Sequence, residues 1–368
     1  MAQCHGTGGV KLPTTYSTVD GETLESSFLG FLKENRQLIV DEIFRFIPRS
    51  QDIKPMNFGL DNHWRMVVDY PERGGKYVRP GLLLLSCMAS GGEVAKAMTT
   101  AAAMEVSEDW LLVHDDFEDK SLERRGKPTL HLLNGEEMAI NAGDHLHLIM
   151  WKILMANHGT MDNSKACVIA EKMVDFLQTT CEGQYLELSW TRNGKIISED
   201  EYFEMVDRKT GWYTVIGPLQ LGALIADNTA ALEPIGKLGK SLGRAFQVHD
   251  DWLNVFSSKT GKELGGDILE GKRTLLLIHL VDQLEKVGDR MNLEYVRILF
   301  SKKREEKSDE DVKKIIALYE KHGCRAWVRA RAKTFALEAL PLIDGIPYSE
   351  EGKAVLRDAV QYIVNREL

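Results

Sequence analysis

Long apolar runs are missing from this sequence of 368 residues. The longest candidate spans residues 82–88, whereas a helix that crosses a bilayer needs roughly 20 apolar residues. The start of the chain also lacks the basic and apolar pattern of a signal peptide and the arginine-rich character of a transit peptide. We therefore expect no membrane span and a cytoplasmic location.

Cysteine is scarce, and positive charge is in deficit. The five cysteines are scattered without the spacing of a metal site, and an odd number without a signal pattern fits a reducing compartment. The net charge is −9, which argues against a general nucleic-acid-binding protein. Local basic pockets for phosphate groups remain compatible with this charge.

Alternating strand patterns of useful length and internal repeats are absent as well. Apolar residues instead recur at helical spacing from Leu24 almost to the end. Residues 1–20 have no such periodicity, so we predict a mobile tail there and a single all-α domain over residues 21–368. The expected helices cover residues 24–46, 63–69, 81–89, 93–119, 138–158, 165–190, 200–227, 233–257, 274–286, 293–300, 311–322, 326–340 and 349–365.

A cluster of acids lies at the end of the fourth expected helix, in the sequence VHDDFED at residues 113–119. Asp115 and Asp119 are four residues apart and share one helix face, which Asp116 borders. Like charges this close repel each other unless a cation joins them. Because Arg124 and Arg125 follow at once, the pattern predicts a site for a metal and a polyanion; a solvated helix end is the alternative.

A second cluster echoes the first, in the sequence FQVHDDWLN at residues 246–254. Its leading acids are Asp250 and Asp251, and it also ends a long apolar helix. Carboxylates are rarely buried unless they are paired or bind metal. Two such clusters facing each other across a helix bundle would form a cage of oxygen ligands, which suits Mg²⁺ completed by substrate phosphates.

Basic residues that could hold the anion occur in three places besides Arg124 and Arg125. Lys76 and Arg79 follow Gly74-Gly75, where glycine lets backbone N–H groups approach phosphate oxygens. The other two places are Lys209-Thr210 and the late stretch that contains Lys262 and Lys272.

In order and spacing these motifs resemble the trans-isoprenyl diphosphate synthases, or polyprenyl synthetases, and most of all the archaeal-type geranylgeranyl diphosphate synthases. The resemblance extends from about residue 24 to the end of the chain. It implies an isoprenoid-synthase fold, a single large bundle of long helices around a deep central cavity, usually as a homodimer. The matching motifs are GGKxxRP at 74–80, DDxxD at 115–119, RRG at 124–126, KT at 209–210, FQxxDDxxN at 246–254 and EGKRT at 270–274.

The reaction implied by this resemblance is a Mg²⁺-dependent, head-to-tail condensation of isopentenyl diphosphate with an allylic diphosphate of five to fifteen carbons. About three Mg²⁺ ions per site would be held by the aspartates. The implied catalytic residues are Asp115, Asp116, Asp119, Arg124, Lys209, Asp250 and Asp251, of which the five aspartates are the metal ligands. The implied allylic diphosphate ligands are Arg124, Lys209, Thr210, Gln247, Lys262 and Lys272, and those of isopentenyl diphosphate are Lys76, Arg79 and Arg125.

Two residues depart from the family pattern. Relatives usually carry His or Gln seven residues before Asp115, in contact with isopentenyl diphosphate, whereas this chain has Glu108. A carboxylate there should repel the diphosphate unless it is protonated or turned toward a cation, so we expect no substrate-binding role for it. Asn254 stands where many relatives have Asp, which keeps an oxygen ligand but loses a charge.

Product length is expected to depend on Trp110, five residues before Asp115 and therefore about 7.5 Å down the helix. Its ring would form part of the cavity floor, although simple core packing is the alternative. Leu111 is not aromatic, and the first motif has no two-residue insertion. By resemblance this pattern favours a C20 product, geranylgeranyl diphosphate, with C15 farnesyl diphosphate as the alternative.

Two other functional classes share part of the pattern. A class I terpene cyclase would have the first aspartate motif, but its second motif needs Ser or Thr and then Glu at four-residue steps. From Asp251 those steps reach Val255 and Lys259, which do not fit. A non-catalytic partner subunit of a prenyl synthase would be expected to lose metal aspartates or arginines, and all are present here.

Overall fold

Sixteen α-helices make up most of residues 27–257 and 263–365, which are the residues that the computed structural model describes. In chain order they are α1 Ser27–Ile43, α2 Leu60–Arg73, α3 Val78–Ala89, α4 Val94–Glu118, α5 Leu130–Asn134, α6 Glu136–Met155, α7 Asn163–Arg192, α8 Glu199–Val206, α9 Gly217–Ile225, α10 Leu232–Phe256, α11 Gly266–Glu270, α12 Leu275–Val287, α13 Arg290–Ser301, α14 Asp309–Lys321, α15 Cys324–Ala339 and α16 Glu350–Asn365. The prediction of an all-α fold is confirmed. None of these helices is both long enough and apolar enough to cross a membrane.

Most expected helices lie within a few residues of their observed bounds, but one was wrong. The segment 200–227 is not a single helix: α8 and α9 are separated by a π-helical stretch, Asp207–Ile216. A pair of two-residue strands, β1 Glu123–Arg124 and β2 Lys127–Pro128, also escaped the sequence patterns. The predicted tail at residues 1–20 lies outside the described residues.

The interior is built around α3, whose side chains from Leu82 to Leu85 are all fully buried. Helices this apolar on every side can only lie inside a bundle. The long helices α4 and α10 belong to the same core, and each carries an aspartate motif at its C-terminal end. The fold therefore delivers both motifs from buried, rigid elements.

Two glycines of α10 let the π-helical stretch approach closely. A Cβ on Gly239 would lie 2.3 Å from a side-chain carbon of Ile216, and one on Gly243 would lie 2.5 Å from the Cα of Gly211. The third glycine of this helix, Gly236, has open space in the same direction. The close packing of α10 on the π-helical stretch therefore depends on Gly239 and Gly243 and not on Gly236.

The substitution Gly243→Ala should lower the free energy of unfolding by about 1–3 kcal/mol, because backbone atoms of the neighbouring stretch cannot move aside easily. The matched control is Gly236→Ala in the same helix, which should leave stability unchanged or raise it by up to about 1 kcal/mol. Urea unfolding measures both values. Equal effects of the two substitutions would refute the packing role of Gly243.

Candidate active site

A cavity of about 420 Å³ lies between the two aspartate motifs. The side chains of Asp115 and Asp250 line it from opposite motifs. The π-helical stretch contributes Lys209, Thr210, Tyr213 and Thr214. Other predicted site residues that line this cavity are Trp110, Leu111, Arg124, Gln247, Asp251 and Lys272.

A second cavity of about 420 Å³ adjoins the first and is strongly cationic. It is lined by Arg36, Arg73, Lys76, Arg79, Arg124 and Arg125, around the glycine turn at residues 74–75. The structure therefore brings together the three residues expected to hold the second diphosphate. The residues that line both cavities, and so form the boundary between them, are Arg79, Glu108, Leu112, Arg124, Phe246 and Asp250.

The two adjacent arginines are directed to different partners by a tight turn. Arg125 and Gly126 connect β1 to β2, and both have positive φ, 53° and 72°. A two-residue hairpin turn with positive φ at both positions favours glycine at the second, which explains the RRG motif. Arg124 then bonds Asp116, whereas Arg125 donates to the Asp109 carboxylate at 3.0 Å.

The second aspartate of the first motif, Asp116, is fully buried and does not line either cavity. Its carboxylate accepts hydrogen bonds from Nε of Arg124 at 3.0 Å and from the hydroxyl of Tyr70 at 2.6 Å. These bonds occupy both carboxylate oxygens. Metal ligation by Asp116 remains a prediction, and the contacts present instead fix the side chain of Arg124.

Asp251, the second aspartate of the other motif, is held in a parallel way. The hydroxyl of Tyr202 donates to it at 2.6 Å, and the amide of Gln247 donates at 2.7 Å. Thr210 in turn donates its hydroxyl to the Gln247 carbonyl at 2.6 Å. Burial raises the pKa of Asp251 to about 6. A network of hydrogen bonds therefore joins α8, the π-helical stretch and α10, and its members Thr210, Gln247 and Asp251 line the first cavity.

The other two aspartates of the first motif, Asp115 and Asp119, meet cations. Asp115 accepts a hydrogen bond from Gln184 at 3.2 Å and has Nζ of Lys209 at 3.4 Å. Asp119 pairs with Nζ of Lys272 at 2.6 Å. Burial nevertheless raises the pKa of Asp119 to about 8, and Asp115 adds to the rise. Burial thus outweighs the stabilisation of the Asp119 carboxylate by Lys272.

Gln184 and Glu187, one turn apart on α7, were missed by the sequence patterns. Glu187 forms an ion pair with Lys209, and both α7 side chains line the first cavity. Nothing local distinguished them, because α7 carries polar residues on several faces. The signal available was only their spacing of three in the helix, which places them on one face.

The donor set fits Mg²⁺ shared with a phosphate. Among the described residues no three carboxylate, imidazole or thiol groups converge on one point that could hold an ion. Mg²⁺ is usually bound through one or two carboxylates, waters and substrate phosphates, so a complete protein cage is not needed. Asp115 and Asp250 offer oxygen ligands at the cavity.

Glu108 is turned toward a cation. Its carboxylate lies 2.9 Å from Nη1 of Arg79, whose guanidinium also stacks 4.7 Å from the centre of the Tyr213 ring. Two further acids, Glu105 and Asp109, lie deeper on the same helix, and each has one oxygen without a hydrogen-bond partner among the described residues. Burial raises the pKa of Asp109 to about 7.

Two further predictions from the sequence concern Asn254 and Lys262. The amide oxygen of Asn254 accepts a hydrogen bond from the backbone N–H of Asp267 at 3.0 Å, which satisfies a free donor in the first turn of α11. The side chain thus stabilises a helix start, and a direct role in metal binding stays a prediction. Lys262 lies outside the described residues.

The structure predicts a large stability effect for one of two adjacent aspartates and a small effect for the other. Asp116→Asn should lower the free energy of unfolding by about 3–5 kcal/mol, because buried Arg124 loses its counter-ion. Asp115→Asn, the matched control, removes one of several crowded acids and should change stability by less than about 1 kcal/mol. Chemical denaturation of both variants without divalent metal measures this difference; an equally mild effect at Asp116 would contradict the buried pairing.

Comparison with known proteins identifies the family. The family model of polyprenyl synthetase matches residues 62–319. A short chain isoprenyl diphosphate synthase from Methanothermobacter thermautotrophicus is 33% identical over 301 residues, which cover 80% of this chain and 87% of the relative. The crystal structure of geranylgeranyl pyrophosphate synthetase from Pyrococcus horikoshii has a TM-score of 0.77 at 30% identity, over 92% of this chain and 98% of that chain.

A geranylgeranyl pyrophosphate synthase from Corynebacterium glutamicum, complexed with isoprenyl diphosphate and magnesium, has a TM-score of 0.79 at 24% identity, over 93% of this chain and 99% of that one. At this identity the likeness concerns the fold. With the family model matched across both aspartate motifs and both cavities, the chain belongs to the polyprenyl synthetase family of prenyltransferases.

Proposed function

We propose that this chain condenses isopentenyl diphosphate with an allylic diphosphate head to tail and releases a short-chain prenyl diphosphate, geranylgeranyl diphosphate. The observation that carries the proposal is the pair of adjoining cavities, each of which is lined by cationic side chains and which share two apolar boundary residues, Leu112 and Phe246. A transferase that joins two diphosphate esters needs two anion sites whose organic groups meet. One cavity would suffice for a cyclase.

The allylic diphosphate belongs in the first cavity. Lys209, Lys272 and Arg124 line it with donors that can hold phosphate oxygens, and Thr210 and Gln247 add hydrogen-bonding groups. Lys262 completes this set in the proposal by resemblance alone. Lys76, Arg79 and Arg125 would bind isopentenyl diphosphate in the second cavity, where the glycine turn leaves the backbone accessible.

Magnesium would be held by Asp115 and Asp119 of the first motif and by Asp250 on α10. When bound, it neutralises the diphosphate and makes it a better leaving group. The Corynebacterium relative was crystallised with isoprenyl diphosphate and magnesium, which supports this assignment. In our proposal Asp116 and Asp251 are positioning residues, because their hydrogen bonds orient Arg124 and Gln247.

The reaction begins when the C1–O bond of the allylic substrate breaks and its electron pair leaves with the diphosphate. Arg124 and Lys209 stabilise the negative charge that develops on the leaving oxygen. The π electrons of isopentenyl diphosphate then form the new bond to C1. Loss of a proton from C2 restores a double bond, and the released diphosphate accepts that proton. Leu112 and Phe246, at the boundary of the cavities, exclude water from the carbocation.

A C20 product is supported by the side chains of α4 that line the first cavity, and C15 is the alternative. Trp110 and Leu111 line it on α4, in the direction away from the aspartates. One indole ring without an aromatic neighbour at Leu111 leaves more length than two adjacent rings would. The chain-length role of both residues is part of the proposal.

A homodimer is the proposed assembly. Six large apolar side chains on α5 and α6 are exposed to solvent: Leu132, Leu133, Met138, Ile140, Leu148 and Met155. Apolar residues grouped on neighbouring elements often mark a protein interface. A second copy packing along α6 would cover them.

The function is tested by incubating the pure protein with Mg²⁺, labelled isopentenyl diphosphate and each of the C5, C10 and C15 allylic diphosphates. We expect linear prenyl diphosphates, mainly C20, and no product when EDTA removes the metal. A hydrocarbon formed without isopentenyl diphosphate would indicate a terpene cyclase. No turnover by the pure protein with any primer would favour a partner subunit and refute the proposal.

Glu108 gives a sharper test of the second site. Glu108→His or Glu108→Gln should leave the KM for isopentenyl diphosphate unchanged or lower it by up to about tenfold. The physical reason is that Arg79 loses a competing carboxylate and becomes available to the diphosphate. Steady-state kinetics with saturating allylic substrate measures the effect.

The matched control is Glu118→Gln. This substitution removes the same charge from α4, but Glu118 lines only the first cavity. Its KM for isopentenyl diphosphate should stay at the value of the unaltered protein. A large rise in that constant for the Glu108 variants would mean that the carboxylate itself helps to bind the substrate.

A further inference from the structure

The indole ring of Trp110 lies against a histidine of the neighbouring helix. Its centre is 4.0 Å from the centre of the His147 ring, and the two planes are inclined by only 15°. Stacked aromatic pairs resist displacement because they combine dispersion with offset ring electrostatics. The ring of Trp110 is therefore supported by α6 as well as by its own helix.

His147 is itself held by a hydrogen bond. Nε1 of Trp151 donates to Nε2 of His147 at 2.9 Å. An indole nitrogen can only donate, so Nε2 of His147 must be the unprotonated acceptor and its ring proton belongs on Nδ1. Burial lowers the pKa of His147, which favours this neutral form. The bond fixes both the tautomer and the orientation of the ring on which Trp110 rests.

The packing of α4 on α6 brings these rings into register. One turn after Trp110, the ring of His114 lies directly over Gly143, where a Cβ would come within 2.4 Å of the imidazole. From His114 back to Trp110 is one turn along α4, and the partner residues on α6 change from Gly143 forward to His147. The two helices therefore run antiparallel. Because Gly143 has no side chain, α4 and α6 pack closely at this point. The His147 ring therefore lies close to Trp110 and leaves it little room to move.

We propose that His147 and Trp151 are positioning residues that limit product length by holding the Trp110 ring across the end of the first cavity. This inference rests on the proposed prenyl transfer and adds to it a determinant on a second helix. Neither residue lines the cavity, so any effect on the product must pass through Trp110. A ring without this support can rotate toward α6 and admit a longer chain.

His145 provides a control on the same helix. It lies two residues from His147, so it points to another side, and it contacts α2 instead. Its Nδ1 lies 2.8 Å from Nε2 of His63, and its ring lies 4.8 Å from that of Trp64. A substitution here removes a comparable half-buried imidazole from α6 but leaves the support of Trp110 intact.

The test compares product lengths by mass spectrometry after incubation with Mg²⁺, isopentenyl diphosphate and the C15 allylic diphosphate. Trp110→Ala should lengthen the product, and the size of this change is the reference for the other variants. His147→Ala should raise the ratio of longer products to the main product about fivefold or more, in the same direction. Trp151→Phe keeps the ring but removes the donor, so it should give a smaller shift. His147→Phe keeps the stack and should restore a product close to that of the unaltered protein.

His145→Ala should leave the product unchanged even if it lowers the melting temperature, which separates positioning from stability. The inference is overturned if His147→Ala and Trp151→Phe, folded by circular dichroism, make the same products as the unaltered protein. It is also overturned if His145→Ala lengthens the product as much as His147→Ala. Failure of the unaltered protein to make any prenyl diphosphate overturns the proposed function, and this inference with it.

Discussion

The buried ion pair between Asp116 and Arg124 is the interaction on which the site depends. It joins the end of α4 to the hairpin, and Tyr70 of α2 completes it with a second hydrogen bond. A buried charge that loses its partner is very costly, so the three elements cannot separate without a large loss of stability. Arg124 is thereby fixed at the boundary of both cavities, where it can face either anion.

Charge compensation extends this principle to the whole site. Before substrate binds, the cations of the two cavities are paired with carboxylates: Lys209 with Glu187, Lys272 with Asp119 and Arg79 with Glu108. Such pairs keep side chains ordered where unbalanced charge would otherwise repel. An incoming diphosphate can replace the carboxylate beside each cation, and a divalent cation can bind the carboxylate. Burial raises the pKa values of Asp119 and Asp109 more than their paired cations, Lys272 and Arg125, lower them.

Sequence spacing was sufficient for the helices and for the cavity faces of the motifs, since periodicity and burial determine both. It predicted Asp115 and Asp250 on opposite walls, and the structure places them there. Spacing alone could not distinguish Asp115 and Asp250 from their neighbours Asp116 and Asp251. The hydroxyls that bind these neighbours belong to Tyr70 and Tyr202, which are far away in the sequence. For the same reason the partner of Glu108 was left open between a proton and a cation; the close contact with Arg79 depends on how α3 packs on α4. The π-helical stretch was missed because its residues have ordinary helical composition.

The central claim is that two diphosphates occupy adjoining cavities and present their organic groups to each other across the boundary at Leu112 and Phe246. The most direct measurement is a crystal structure with Mg²⁺, isopentenyl diphosphate and an unreactive thio analogue of an allylic diphosphate. The account predicts the allylic analogue beside Lys209 and Lys272, with metal on Asp115 and Asp250, and isopentenyl diphosphate beside Lys76 and Arg125. Both anions in one cavity, or a second cavity that stays without diphosphate at saturating ligand, would contradict it.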